Sequence, residues 1–122
     1  IEDKVLFLGL RDDAHMLLKG IDLLLFPSLY EGLPLSLVEA QASGLRILAS
    51  TNVTKEIAIT DLVSFHDLQK GEEFWADLAL NNLKYHRESK VHEIIENGYD
   101  IKVGAKKLQD FYLDNYPSHV RN

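Results

Sequence analysis

Two glutamates, Glu31 and Glu39, stand eight residues apart in the segment PSLYEGLPLSLVEAQASG, residues 27–44. A carboxylate can accept charge-assisted hydrogen bonds from two vicinal hydroxyls, as a sugar or a ribose presents them, without a basic partner. Between the two, the chain passes from a strand ending at Pro27-Ser28 to a helix beginning near Pro34. The amides of Leu35 and Ser36 fall in the first turn of that helix, where no intrahelical acceptor exists. The positive end of the helix dipole lies behind them, which makes an anion site suited to a diphosphate. Gly32 has no Cβ, so ligand and backbone can approach closely. Glu39 sits one to two turns into the helix, its side chain leaning back toward the cavity of Glu31. Paired carboxylates would repel a phosphate, so neutral hydroxyls are their expected partners.

The elements that must place these residues are legible as apolar runs. VLFLGL (5–10), DLLLFPS (22–28) and RILAS (46–50) are continuous rather than alternating, as in strands of a parallel sheet covered on both faces. A weaker candidate, Leu62 to Phe65, adds an edge strand. Asp12 is expected to cap a helix carrying Met16 and Leu17 on its apolar face and closed by Gly20. The helix after Gly32-Leu33, with Pro34 at its first position, should stop at Gly44. The rhythm is α/β, a Rossmann-like parallel sheet flanked by helices, with right-handed crossovers. Ligands bind such sheets at the carboxyl ends of the strands, where Glu31 and Gly32 lie. The last third reads as helices. Phe74 with Leu78, and Trp75 with Ala79 and Leu83, form one stripe; Val91, Ile94 and Ile95 form another, ending at Asn97-Gly98. Asp100 should cap a final helix that buries Val103, Leu108, Phe111 and Tyr112. These aromatics read as core packing rather than a cofactor box.

Nineteen acidic residues in 122 produce roughly three pairs at this separation by chance, so the spacing carries nothing alone. The frame around it is specific: strand, PS-x-x-EG-x-P-x-x-x-x-EA-x-A-x-G. It resembles the E-x7-E signature of the family 4 (GT-B fold) retaining glycosyltransferases. The likeness runs from the FLGLRDD loop through DLLLFPS to the C-terminal helices. It is nearest to capsular and exopolysaccharide biosynthesis members, with their EAQASG-like helices and TKE-I-IT-like segment, here 54–60. The resemblance implies that Glu31, the candidate catalytic residue, contacts donor-sugar hydroxyls and that Glu39 binds ribose hydroxyls. It implies that backbone around Gly32, Leu33, Leu35 and Ser36 meets sugar and phosphate, and that Leu10 and Arg11 lie beside the nucleobase.

The departures are equally specific. On this resemblance, residues 1–122 are a C-terminal nucleotide-sugar-binding fragment. It lacks the first two strand-helix units, with their Gly-rich turn and Arg/Lys pair, and the N-terminal acceptor domain. The glycines that often follow the fifth strand are replaced by Thr51, Asn52 and Val53. The fragment should be inactive alone. With two strands missing, VLFLGL is expected to close up beside DLLLFPS; a second copy or a separate chain are the other ways to cover the edge.

Composition narrows the partners. A net charge of −6 without a basic cluster argues against nucleic acid. No apolar run approaches the roughly 18 residues of a membrane span, and the acidic start is no secretory leader. Beginning with Ile rather than Met suggests a piece of something longer. Without cysteine there is no disulfide or thiolate site, which fits a reducing cytoplasmic setting. The histidines at 15, 66, 86, 92 and 119 lack metal-ligand spacing, and the resemblance implies catalysis without a metal or other cofactor. Asp12-Asp13 hints at a phosphoacceptor receiver, but no later strand ends in Asp. Glu72, Glu73 and Asp77 read as a solvated first helical turn. The expectation is a glycosyltransferase donor half moving a hexose from a nucleotide diphosphate sugar to a glycan or lipid-linked acceptor. The resemblance leaves room for peripheral association of the whole protein with the inner face of the membrane. The alternative is a non-catalytic α/β binding or regulatory domain.

Overall fold

The computed structural model describes residues 2–116. Three parallel strands, β1 (Leu24–Phe26), β2 (Ile47–Ser50) and β3 (Val63–His66), form one sheet in the order β1-β2-β3. Leu24 pairs with Ile47, and Ile47 with Val63. The helices are α1 (Ala14–Gly20), α2 (Leu35–Ala42), α3 (Gly71–Asn82), α4 (Val91–Glu96) and α5 (Ile101–Asn115). This is the expected Rossmann-like α/β arrangement, and all four residues of β2 are buried.

Strand alternation divides the packing between two faces. Leu24, Phe26, Ile47, Ala49, Val63 and Phe65 join Leu37 and Val38 of α2 and Ile94 of α4 in one apolar cluster. His66, at the end of β3, meets Phe74 and Trp75 of α3, with ring centroids 6.0 Å apart in each pair. Trp75 is buried, and its indole N–H donates to the Asp67 carbonyl.

At the centre is a buried amide. Gln41 of α2 is fully buried, and its Nε2 donates to the carbonyls of Leu37 and Ile57 at 3.1 and 2.8 Å. Its Oε1 accepts from the amides of Ile59 and Thr60 and from the Thr60 hydroxyl, at 2.9–3.1 Å. The loop before β3 is thus tied to α2. Gly44 ends α2 with φ +76°, and a Cβ there would lie 2.0 Å from the Glu88 carbonyl oxygen. Arg87 donates to the carbonyls of Leu18, Lys19, Ile21 and Ser43, joining the exits of α1 and α2.

Several expectations are corrected. Residues 5–10 form no strand and make no ladder with β1; Phe7 is 93% exposed. The edge of β1 away from β2 has no strand beside it among the described residues. A continuous apolar run reports a segment suited to burial on two faces, but pairing needs a neighbour, and the cost of a bare edge does not by itself draw this run in. The N-cap of α1 is Asp13, not Asp12, and it caps without a side-chain bond because Arg11 occupies its carboxylate. Met16 is exposed rather than on a packed face. Pro34 is the N-cap of α2, in extended backbone, rather than its first helical residue. Leu83, Val91 and Ile95 lie mostly outside the core, although Trp75 and Ile94 of their stripes are buried. In α5, Asp100 does cap, accepting from the Val103 amide at 2.9 Å. Yet Val103, Leu108, Phe111 and Tyr112 are exposed, because no described element covers that face. Helical periodicity marks an apolar face without supplying the surface it packs on.

Replacing Gln41 with Ala takes the acceptor from the buried Thr60 amide, cuts the tie between α2 and the loop before β3, and should cost about 3 kcal/mol of stability. Gly44→Ala should cost about 2 kcal/mol from backbone strain and collision with Glu88. Urea unfolding of the full-length protein checks both; unchanged midpoints would contradict the packing described.

Candidate functional site

The carboxyl ends of β1 and β2 meet at two serines. Ser50, the fully buried last residue of β2, donates from Oγ to the Ser28 carbonyl just beyond β1. The Ser50 Oγ also accepts from the Asn52 amide at 3.2 Å. Ser28 in turn has its hydroxyl 2.9 Å from Glu31 Oε1 and 3.2 Å from the Tyr30 carbonyl. Glu31 is half-buried. Its carboxylate is therefore held at the end of the sheet, where the strand-to-helix loop turns into α2.

Beyond it the chain stays open. Gly32 has free space where a Cβ would point, and Leu33, Leu35 and Ser36 are exposed. Leu37 is the first residue of this turn whose amide finds a backbone acceptor, the Pro34 carbonyl at 2.9 Å. The amides of Leu35 and Ser36 precede it at the positive end of the α2 dipole. Such a turn can receive an anion while Glu31 accepts from neutral hydroxyls beside it.

Glu39 is placed differently. It is exposed on α2 and lines a hollow of about 500 Å³ with His15 and Lys19 of α1, Ala42, Ser43, Ser89 and Val91. Glu31, Gly32, Leu33, Leu35 and Ser36 stand together in one loop and helix turn; Glu39 opens on the α1 side, in a hollow whose lining does not include Glu31. A second hollow of about 500 Å³, lined by Leu25, Pro27, Leu68, Gly71, Glu72, Trp75 and Ala76, adjoins α3. Glu72, Glu73 and Asp77 are exposed on that helix.

Leu10 is fully exposed in the loop before α1. Arg11 is committed locally: its Nε and Nη2 meet the two carboxylate oxygens of Asp13 at 2.7 and 2.6 Å. That fork holds the Asp13 carboxyl below its usual range. No group of three or more His, Cys, Asp or Glu among the described residues could hold a metal ion; His119 lies outside them. No described helix is long and apolar enough to cross a membrane.

Sequence reasoning missed Ser28 and Ser50, and with them the support of Glu31. The available signal was the small hydroxyl residue ending each of two adjacent apolar runs. It missed Lys19, Ser43 and Ser89 beside Glu39 because they come together only when α1, α2 and the 84–90 segment pack.

Comparison with known proteins agrees with this architecture. The family profile described as "Glycosyl transferases group 1" matches residues 1–69. The chain is 36% identical over 112 residues to the "Putative glycosyltransferase EpsF" of Bacillus subtilis (strain 168), covering 88% of this chain and 29% of that protein. It is 29% identical over 127 aligned positions to the "UDP-Gal:alpha-D-GlcNAc-diphosphoundecaprenol alpha-1,3-galactosyltransferase" of Escherichia coli, covering 93% of this chain and 31% of that protein. The chain thus spans about three-tenths of the length of these relatives. No solved structure matches it. A profile match across more than half the chain, on a Rossmann-like parallel sheet, places the chain in the glycosyl transferases group 1 family.

Proposed function

We propose that the chain is the C-terminal, donor-binding part of a retaining glycosyltransferase that moves a hexose from a nucleotide diphosphate sugar to a glycan or lipid-linked acceptor. The observation that carries this reading is Glu31 held by Ser28 at the carboxyl end of a parallel strand, one loop before the free amides that open α2. A sugar hydroxyl on the carboxylate and a phosphate on the amides are what this juxtaposition suits. The printed name of the Escherichia coli relative, with a UDP-linked donor and a diphosphoundecaprenol-linked acceptor, supports that substrate class. The family match favours a transferase over a non-catalytic binding domain.

In this reading Glu31 orients the donor sugar so that the acceptor attacks on the leaving-group face. Leu35 and Ser36 amides stabilise the departing diphosphate, with cationic help from the portion preceding this chain. Leu10 and Arg11 flank the nucleobase, and Glu39 takes the ribose hydroxyls. The reaction requires no cofactor beyond its donor. The missing strand-helix units cover the bare edge of β1 and the apolar 5–10 segment, so the part described here is inactive alone. An acceptor carried on a lipid places the whole protein at the cytoplasmic face of a membrane.

Free nucleoside diphosphate tests Glu39 without any sugar present. Glu39→Ala in the full-length protein should weaken UDP or GDP binding by about 2 kcal/mol, measured by calorimetry; unchanged affinity would remove Glu39 from the ribose. Glu31→Gln should behave oppositely, leaving diphosphate affinity within about threefold while transfer falls tenfold or more. Normal turnover in that variant would make Glu31 a bystander.

A further inference from the structure

We propose that Ser28 is a positioning residue for Glu31, so that donor-sugar alignment depends on a hydroxyl that never touches the donor. The inference rests on the assignment of Glu31 to the donor sugar and goes beyond it. Glu31 lies on an exposed loop, and its side chain has three rotatable bonds that would otherwise sample many rotamers. The hydroxyl of Ser28 offers one proton; the Glu31 carboxylate, 2.9 Å away and charged, is a stronger acceptor than the Tyr30 carbonyl at 3.2 Å. That contact engages Oε1 and leaves Oε2 and the remaining lone pairs free for substrate hydroxyls.

Ser28 is itself anchored. Its carbonyl accepts from the Ser50 hydroxyl, which is fully buried at the end of the central strand and also accepts from the Asn52 amide. The line from β2 through Ser50 and Ser28 to Glu31 carries the rigidity of the sheet to a side chain on a loop. A carboxylate fixed in this way is ready before the donor arrives, which removes an ordering cost from the binding step.

The test is a mutant cycle in the full-length protein with Ser28→Ala, Ser28→Thr, Glu31→Ala and the Ser28→Ala/Glu31→Ala pair. Transfer is measured with whichever of UDP-galactose, UDP-glucose, UDP-N-acetylglucosamine or GDP-mannose the unmodified protein uses fastest. Nucleoside diphosphate affinity and Tm are measured alongside. Ser28→Ala should lower kcat about tenfold, with diphosphate affinity within about twofold, and Ser28→Thr should restore most of the rate. In the Glu31→Ala background, Ser28→Ala should change the rate by less than about twofold, because no carboxylate remains to orient. Equal slowing in both backgrounds, or no rescue by threonine, would overturn the positioning role. Slow Glu31→Ala with normal Ser28→Ala would overturn it while leaving Glu31 on the sugar. Normal Glu31→Ala would overturn both.

Discussion

The side chain of Gln41 makes five hydrogen bonds in a space closed to water, and the arrangement of the whole sheet depends on them. One bond returns to its own helix at Leu37; the others reach the Ile57, Ile59 and Thr60 backbone and the Thr60 hydroxyl just before β3. Without this side chain the buried Thr60 amide would lose its acceptor, a cost of about 1–3 kcal/mol, and the Ile59 amide and Ile57 carbonyl would keep only their bond to each other. The amide supplies two donors and an acceptor within one residue, so it satisfies the loop and fixes where β3 begins. The register of β3 on β2, Ile47 opposite Val63, follows from that point.

A second set of polar ties works just beyond Gln41, where α2 ends. Arg87 gathers carbonyls from Leu18 to Ile21 and Ser43, groups that α1 and α2 leave unpaired at their exits. The Tyr85 hydroxyl accepts from the Arg46 amide and donates to the Gly44 carbonyl. Glu88 passes so close to Gly44 that only a residue without a side chain fits. The 84–90 segment is therefore a strap that closes α1 onto α2 and shapes the hollow around Glu39. The start of this short helix faces the loop of Glu31, and its far end helps shape the hollow that Glu39 lines.

The sheet is finished on one side only. α2 and α4 cover the first face, and α3 stands against His66 near the second. The outer edge of β1, the 5–10 run and the apolar stripe of α5 remain in solvent among the described residues. These three surfaces are more apolar than a free-standing domain of this size would leave exposed. They agree with a chain that spans about three-tenths of its relatives' length. Burial of the groups around Glu31 nevertheless relies on β1, β2 and α2, all of which are present, so its local geometry is complete.

Features set by neighbouring residues can be read directly along the chain. The apolar runs at 22–28 and 46–50, which contain β1 and β2, the helix stops at Gly44 and Gly98, the Asp100 cap and a helix beginning near Pro34 each follow from residues within a few positions of one another. The candidate loop was equally readable, because strand end, Glu31, Gly32 and the α2 amides are consecutive in the chain. Pairing and partnership, by contrast, emerge only when distant segments pack together. Residues 5–10 have strand composition but no strand, since a ladder needs a neighbour that periodicity cannot name. The α5 aromatics have a helix face with nothing against it. Ser50 supports Glu31 from 19 positions away, and Arg87 reaches Leu18 across 69. Such contacts depend on where the folded backbone brings distant segments together, and no spacing rule in a single sequence encodes that distance.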